Sequence, residues 1–218
     1  MLSDRDILYE YNKKNIIISP FRRKALTENS YDVRLGEYYF REKKRLDFNG
    51  QDYLNPWDPA TIDNYWGQEH RATLVTSEHN PYNLKLGDRY IELEPGESIL
   101  GHTIEFIGGR NYIVSQMQGR SSINRCRISV CDDAGVGGIG YIDRWTMEIQ
   151  NKSKTKIILI VGERIAKIVF VYSNYPLKKG YQGVYQSKQF VNNKRIDIAA
   201  LHRNWSPRTM KPRLKRDV

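Results

Sequence analysis

The sequence contains few of the residues that build metal centres. Its 218 residues include two cysteines and four histidines, and the histidines are scattered at positions 70, 79, 102 and 202. Zinc deaminases need a His or Cys, a Glu and a paired-cysteine segment, and no such arrangement is present. A P-loop and the nucleophile elbow of α/β-hydrolases are also missing. The sequence therefore argues against a zinc site and against these two classes of catalytic motif.

Long apolar runs are missing too. No segment approaches the roughly 20 apolar residues of a membrane helix, and the first fifteen residues contain no signal-peptide core. Cys126 and Cys131 lie five positions apart, and nothing else in the sequence indicates secretion. We therefore expect no membrane partner, reduced thiols and a cytoplasmic location, which for a viral protein is the host cytoplasm.

Positive charge is abundant. The formal net charge is +10, the pI is about 9.5 and the mean hydropathy is −0.66. Six Lys or Arg stand against one acid in residues 202–218, a stretch that we predict to be a flexible tail or an arm on a neighbouring subunit. The balance favours polyanionic partners such as nucleotides or nucleic acid. Nucleic-acid binding through the tail is one interpretation, and a merely solubilising role is the other.

Short β-type segments dominate the chain and are separated by frequent turns. A short N-terminal helix precedes them, with Ser3 as its cap and Asp4 and Asp6 near its positive end. Many short strands with regular turns indicate an all-β barrel or jelly roll. The predicted strands cover residues 16–19, 30–40, 89–107, 112–118, 127–131, 144–151, 156–161 and 164–173.

Residues 41–83 interrupt this pattern. They contain "LNPWDPATIDNYWG", which is polar, aromatic and punctuated by Pro56 and Pro59. We interpret the stretch as an inserted loop region with a short helix at 58–66. The predicted organisation is one domain over residues 1–190 that carries this insertion, followed by a basic C-terminal extension over residues 191–218.

The stretch "GRSSINR", residues 119–125, is the first candidate site. Gly119 permits a sharp turn, and serine hydroxyls with turn amides can hold phosphate oxygens. Arg120 can bind a phosphate through two donors, and Arg125 can fold back over the same spot. The alternative is an ordinary basic turn with capping serines.

Glu148 is the second candidate. In "RWTMEIQN", Trp145, Met147 and Ile149 share one face of a strand, and Glu148 lies on the other. That face is either solvated or turned toward an enclosed pocket. In a pocket, partial burial would raise the pKa of Glu148 and suit it to shuttle a proton.

A glycine-rich stretch, residues 132–145, precedes that strand. Glycines let backbone amides and carbonyls approach a flat base closely, so backbone groups can read its edge. The alternative is a floppy hairpin tip.

Taken in order, these segments resemble the superfamily of dCTP deaminases and trimeric dUTPases. The resemblance runs through "MLSDRDI", "PFRRKALTENSYDVRLG", "LEPGESILGHTIEFI", "GRSSINR", "AGVGGIGYIDRWTMEIQN" and "GYQGVYQSK". It implies a distorted β-barrel or jelly roll that assembles as a trimer or hexamer with active sites shared between subunits. It also implies Mg²⁺ on the triphosphate of dCTP or dUTP, and no zinc.

The resemblance further implies residue roles. Arg120, Ser121 and Ser122 would hold the triphosphate, with Ser121 helping to fix the attacking water. Arg125 would orient the catalytic carboxylate, and Glu148 would act as general base and acid in converting dCTP to dUTP and ammonia. The remaining residues that would contact the substrate are Ala134, Gly135, Gly138, Tyr141, Tyr181, Tyr185 and Gln186.

The sequence departs from the superfamily at two positions. Gly138 stands where dUTPases carry the Asp that activates water, with Asp133 and Asp143 as nearby replacements, and Val184 stands where a phosphate-contacting Lys is usual. A dUTP diphosphatase or a bifunctional enzyme is therefore the first alternative function. A non-catalytic nucleotide-binding or assembly protein is the second.

Overall fold

The computed structural model describes residues 1–43, 53–132, 134–174, 181, 183, 185 and 197–214. Most of its elements are short strands, as the sequence predicts. In chain order the elements are α1 (Asp4–Asn12), β1 (Ile16–Ser19), β2 (Tyr31–Arg34), β3 (Tyr38–Arg41), α2 (Pro59–Trp66), β4 (Glu69–Arg71), β5 (Thr73–Leu74), β6 (Arg89–Leu93), β7 (Ser98–Gly109), β8 (Ile113–Gly119), α3 (Ser121–Arg125), β9 (Ile128–Ser129), β10 (Val136–Gly137), β11 (Asp143–Asn151), β12 (Ile157–Ile160), β13 (Arg164–Tyr172) and α4 (Ile198–Asn204).

The N-terminal helix begins at the predicted cap. The Ser3 hydroxyl accepts a hydrogen bond from the Asp6 amide at 3.3 Å, and the Ser3 amide donates to the Asp6 carboxylate at 3.0 Å. This reciprocal pair is a capping box, which satisfies two amides that the first turn leaves free. Ile7 is buried in the core, so α1 is fixed at its start and along its apolar face.

The strands form three sheets around one main core. A six-stranded sheet has the order β4-β3-β7-β11-β9, with β1 also paired to β7. A four-stranded sheet has the order β10-β8-β13-β2, and a three-stranded sheet has the order β12-β6-β5. Exposure alternates strictly along β11, where Trp145, Met147 and Ile149 point into the core. The other face of β11 is thereby turned away from the core and is available for a site.

The inserted segment contains the predicted helix. Asp58 caps α2 by accepting from the Ala60 amide at 3.0 Å, and Pro59 occupies the first helical position. Strands β4 and β5 follow within the insertion and were not predicted, because segments of two or three residues are too short to show alternation. Strand β9 is shorter than the predicted strand over 127–131. Residues 44–52 lie outside the described part of the chain.

The prediction of a flexible tail is wrong for residues 202–214. Asp197 caps α4 by accepting from the Ala200 amide at 3.0 Å, and a 3₁₀ turn follows at Pro207–Met210. Leu201 and Met210 are buried, and the Trp205 ring lies 4.4 Å from the His102 ring, centroid to centroid. Met210 also packs with Phe40 and Leu100, so Met210 and Trp205 hold the basic segment against the six-stranded sheet.

Cys126 is exposed and Cys131 is half-buried, and the two form no disulfide with each other. No helix within the described ranges is long and apolar enough to cross a membrane.

Candidate active site

Glu148 faces a partly enclosed cavity rather than a flat, solvated surface. It pairs with Leu100 across β11 and β7, and both residues line a cavity of about 270 Å³. The carboxylate lies on the side of β11 that the C-terminal segment covers, since Thr209 and Met210 line the same cavity. This strand face is therefore partly covered rather than fully solvated, which favours the interpretation of a pocket around Glu148.

Six of the predicted site residues line this cavity. They come from the glycine-rich stretch, from β11 and from the segment predicted to cover the substrate, and they are Ala134, Gly138, Tyr141, Glu148, Tyr181 and Tyr185. The Tyr141 and Tyr181 rings meet edge to face, with centroids 5.3 Å apart. The Tyr181 amide also donates to the Ile139 carbonyl at 2.8 Å, which joins the covering segment to the hairpin. Gln186 and Val184 lie outside the described residues.

Close backbone approach explains the glycines of the hairpin. A Cβ on Gly137 would lie 2.5 Å from the Trp145 ring, so a side chain there would displace the indole. Gly140 has a φ of +92°, a conformation that other residues rarely adopt. Gly135 does not line the cavity, and a Cβ there would lie 2.7 Å from the Met117 carbonyl oxygen. The hairpin is held tightly by these contacts, in contrast to the alternative of a floppy tip.

Burial sets the protonation of two carboxyl groups in the cavity. Burial raises the pKa of Glu148 above its usual value, and the charge of Asp132 adds to the increase. Burial also raises the pKa of Asp143 to about 7, against the opposing effect of the Arg144 amide that donates to its carboxylate at 2.7 Å. Both groups therefore hold a proton closer to neutral pH than exposed carboxyls do, which suits proton transfer.

Arg144 occupies the wall between β11 and the C-terminal segment. Its guanidinium lies 4.5 Å from the Trp205 ring centroid and 5.1 Å from that of Phe106. Its buried Nε has no hydrogen-bond partner among the described residues. Arg144 and Met210 were not predicted as site residues, and Asp143 was named only as a nearby replacement for the carboxylate missing at Gly138. The only sequence signal for Met210 was an apolar residue in a basic segment.

The basic serine turn lies elsewhere in the chain. Arg120 is the N-cap of α3 and makes no capping bond through its side chain, so the interpretation of the serines as caps is wrong. Ser121, Ser122 and Arg125 are exposed on this helix. A Cβ on Gly119 would lie 2.5 Å from the exposed Asn124 side chain, which would have to move aside.

Arg120 is partly engaged within its own chain. Its Nη1 donates to the Arg164 carbonyl at 3.1 Å, and its Nε lies 3.5 Å from the Asp32 carboxylate. Arg120, Ser121, Ser122 and Arg125 are all described, and none of them lines the Glu148 cavity. One chain therefore presents two separate groups, an exposed basic turn and an enclosed carboxylate.

A search of the described residues finds no cluster of three or more His, Cys, Asp or Glu that could hold a metal ion. No residue of the described chain is therefore assigned to a metal.

The fold places the protein among the dUTPase-like all-β proteins. Its described structure superposes on the crystal structure of 2′-deoxycytidine 5′-triphosphate deaminase from Agrobacterium tumefaciens with a TM-score of 0.55 and 16% sequence identity. The match covers 79% of this chain and 48% of that one, so the chain spans about half the length of that structure. At this identity the likeness shows the fold alone, and it confirms the predicted fold class.

Residues 1–172 match the family model described as dCTP deaminase-like, and the chain belongs to that family. A protein from Methanosphaera stadtmanae named "dCTP deaminase, dUMP-forming" is 29% identical over 182 residues, covering 83% of each chain. A protein of the same name from Tropheryma whipplei (strain Twist) is 32% identical over 181 residues, covering 83% of this chain and 82% of its own. The predicted family is thus confirmed, and these names specify dUMP, whereas the sequence predicts dUTP as the product.

Proposed function

We propose that the protein hydrolyses dCTP at C4 of the cytosine and releases ammonia and dUTP. The observation that carries this proposal is the half-buried Glu148 carboxyl, which faces a partly enclosed cavity beside a glycine-rich hairpin. Glu148 takes a proton from water as the water oxygen bonds to C4. It delivers this proton to N3 of the ring and then carries the second proton of the water to the amino group, so that the C4–N bond breaks, ammonia leaves and the C4 carbonyl forms. The raised pKa of Glu148 supports this exchange.

Phosphate recognition in this proposal uses a second subunit. Ser121, Ser122 and Arg125 are exposed and lie outside the cavity of their own chain, so a neighbouring copy is the natural source of these groups. A homo-oligomer, a trimer or hexamer as the resemblance implies, would place the basic turn of one chain against the Glu148 cavity of the next. Mg²⁺ enters only as the counter-ion of the triphosphate.

Formation of dUMP is a second candidate. Asp143 lines the same cavity as Glu148 and supplies a second carboxyl group, and the relatives' names specify a dUMP-forming deaminase. Gly138, which also lines the cavity, carries no side chain to activate water. On this alternative Asp143 would activate the water that attacks phosphorus, and pyrophosphate would leave.

The test is to incubate the protein with Mg²⁺ and dCTP and to follow ammonia, dUTP, dUMP and pyrophosphate. We expect dUTP and ammonia in equal amounts, and loss of both with Glu148→Gln, which keeps the size of the side chain but removes its proton chemistry. Stoichiometric pyrophosphate and dUMP would instead support the second candidate. Tight dCTP binding with no product would overturn both and leave a nucleotide-binding or assembly role.

A nucleic-acid-binding arm gains less support from the structure. Lys211 bonds to the Asp63 side chain and the Gly67 carbonyl, and the Arg213 guanidinium lies over the Tyr185 ring. These two cations of the basic extension are therefore already engaged within the chain.

A further inference from the structure

Three strands place an apolar pair directly beside the Glu148 carboxylate. Leu100 on β7 pairs with Glu148 on β11 on one side and with Phe40 on β3 on the other. Directly paired residues of neighbouring strands project on the same face of a sheet, with Cβ atoms about 4.5–5.5 Å apart. Phe40, Leu100 and Glu148 therefore form one row, and whatever covers the first two also borders the carboxylate.

Met210 covers this row. It is only 3% exposed and packs with Phe40 and Leu100 in a small cluster separate from the main core. Met210, Leu100 and Glu148 all line the same cavity. Met210 lies outside residues 1–172, the range that matches the family model. The part of the wall beside the carboxylate is thus contributed by a segment beyond the family domain.

The segment that carries Met210 is anchored on both sides of it. Before Met210, the Trp205 ring packs on the His102 ring. The Arg144 guanidinium lies 4.5 Å from the centroid of the Trp205 ring. After it, Lys211 Nζ donates to Asp63 at 2.6 Å and to the Gly67 carbonyl at 2.8 Å. Asp63 belongs to α2, so the insertion and the C-terminal segment hold each other in place over the sheet.

We propose that Met210 is a positioning residue of the deamination reaction, forming an apolar wall that shields one side of the Glu148 carboxylate from bulk water. This rests on the proposed function, in which Glu148 exchanges protons with water and substrate. The C-terminal segment thereby completes the cavity from the same chain, and the neighbouring copy has only to bring the phosphate-binding turn. Removing the Met210 side chain admits water beside the carboxylate and stabilises its charged form.

Several charged and titratable groups surround Glu148. The loop after β9 contributes Asp132, whose own charge is paired with Lys152 at 3.2 Å. Burial has the largest effect on the pKa of the Glu148 carboxyl and raises it, a hydrogen bond from its own backbone opposes this, and the charge of Asp132 adds a smaller increase. The other such groups of the cavity and its rim are Tyr141, Asp143, Arg144, Tyr181, Tyr185, Lys211 and Arg213.

The experiment compares Met210→Ala, Met210→Gln and Met210→Leu. The Glu148 carboxyl is titrated by carbon-detected NMR in the substrate-free protein, and the pH profile of kcat/KM for dCTP is measured in parallel. We expect Met210→Ala and Met210→Gln to lower the pKa of Glu148 toward its ordinary value and to shift the acidic limb of the profile by the same amount. Met210→Leu, which restores an apolar side chain of similar volume, should return both readings to the wild-type values.

Leu159→Ala is the matched control. Leu159 is buried in β12 and does not line the cavity, so its truncation costs stability without exposing Glu148. An unchanged Glu148 titration in both Met210→Ala and Met210→Gln would overturn the inference even if the wild-type protein deaminates dCTP. If the Glu148 titration shifts in the Met210 variants but the wild-type protein releases no ammonia, the role of Met210 as a wall would stand and the proposed function would be overturned. Met210→Gln keeps the side-chain length, so the test survives if the alanine variant does not fold.

Discussion

Asp143 and Glu148 lie five residues apart on β11, and both line one cavity. Their environments differ, because Asp143 is almost fully buried at the start of the strand while Glu148 is half-buried near its middle. Two carboxyl groups with separately raised pKa values in one cavity allow separate roles in proton transfer. The cavity therefore contains one carboxyl group suited to deamination, Glu148. It also contains a second, Asp143, as the candidate for attack of water on phosphorus.

The buried Asp143 should make the protein less stable as the pH rises. Its folded-state pKa is about 7 against 3.8 for the ordinary group, so the folded state holds the proton more tightly. The resulting stabilisation is complete below pH 3.8 and is lost as the pH rises to about 7. Asp143→Asn should remove this loss, which amounts to up to roughly 4 kcal/mol in the free energy of unfolding.

Urea unfolding at a series of pH values from 4 to 8 measures this effect. The difference between wild type and Asp143→Asn isolates the contribution of Asp143 from the other titrating groups. An exposed carboxylate such as Glu78, changed to Gln, is the control and should leave the pH dependence unchanged. A wild-type curve that runs parallel to that of Asp143→Asn over this range would contradict the prediction.

Gly138→Asp should increase cleavage of dUTP to dUMP. Among the described residues, a Cβ at this position meets only the Tyr181 ring, at 3.5 Å, which is an ordinary contact. The new carboxylate would enter the cavity at the position where dUTPases carry their water-activating Asp. We expect the ratio of dUMP to dUTP formed from dCTP to rise by at least about tenfold, a typical gain from a positioned general base.

Gly138→Asn is the control, because it adds nearly the same volume without a base. Equal product ratios in the Asp and Asn variants would show that a carboxylate at this position does not reach the reacting water. If the wild-type protein already forms dUMP, its product ratio is also compared with those of Asp143→Asn and Gly138→Asp. This comparison identifies which carboxylate activates the water that attacks phosphorus.

Local signals were enough to predict much of the fold. The Ser3–Asp6 capping box, the cap of α2 at Asp58 and the alternation along β11 each depend on residues close in sequence. The order of the motifs also predicted the family, now shown by the match over residues 1–172.

The cover of the site could not be predicted in this way. Alternation placed Glu148 on the face opposite Trp145, but it does not show what packs on that face. Met210, Trp205 and their neighbours pack on that face. They belong to a segment without periodicity that lies more than fifty residues further along the chain. Contacts of that range depend on the tertiary fold, and only the isolated apolar residues of a basic segment hinted at them.

Complementation between two inactive variants tests whether the active site is shared. Glu148→Gln lacks the carboxylate, and Arg125→Ala lacks the exposed cation of α3, so each alone should release no ammonia. If the two groups come from neighbouring chains, co-refolding equal amounts should assemble some sites from the intact Glu148 of one variant and the intact Arg125 of the other. Random mixing should then restore roughly one quarter of the wild-type rate per site.

The double variant Glu148→Gln/Arg125→Ala mixed with Glu148→Gln is the control and should remain inactive, because no chain then carries an intact carboxylate. Recovered co-assembly without recovered ammonia release would show that both groups act within one chain, and the separation of α3 from the cavity would then have to close by a movement of that chain.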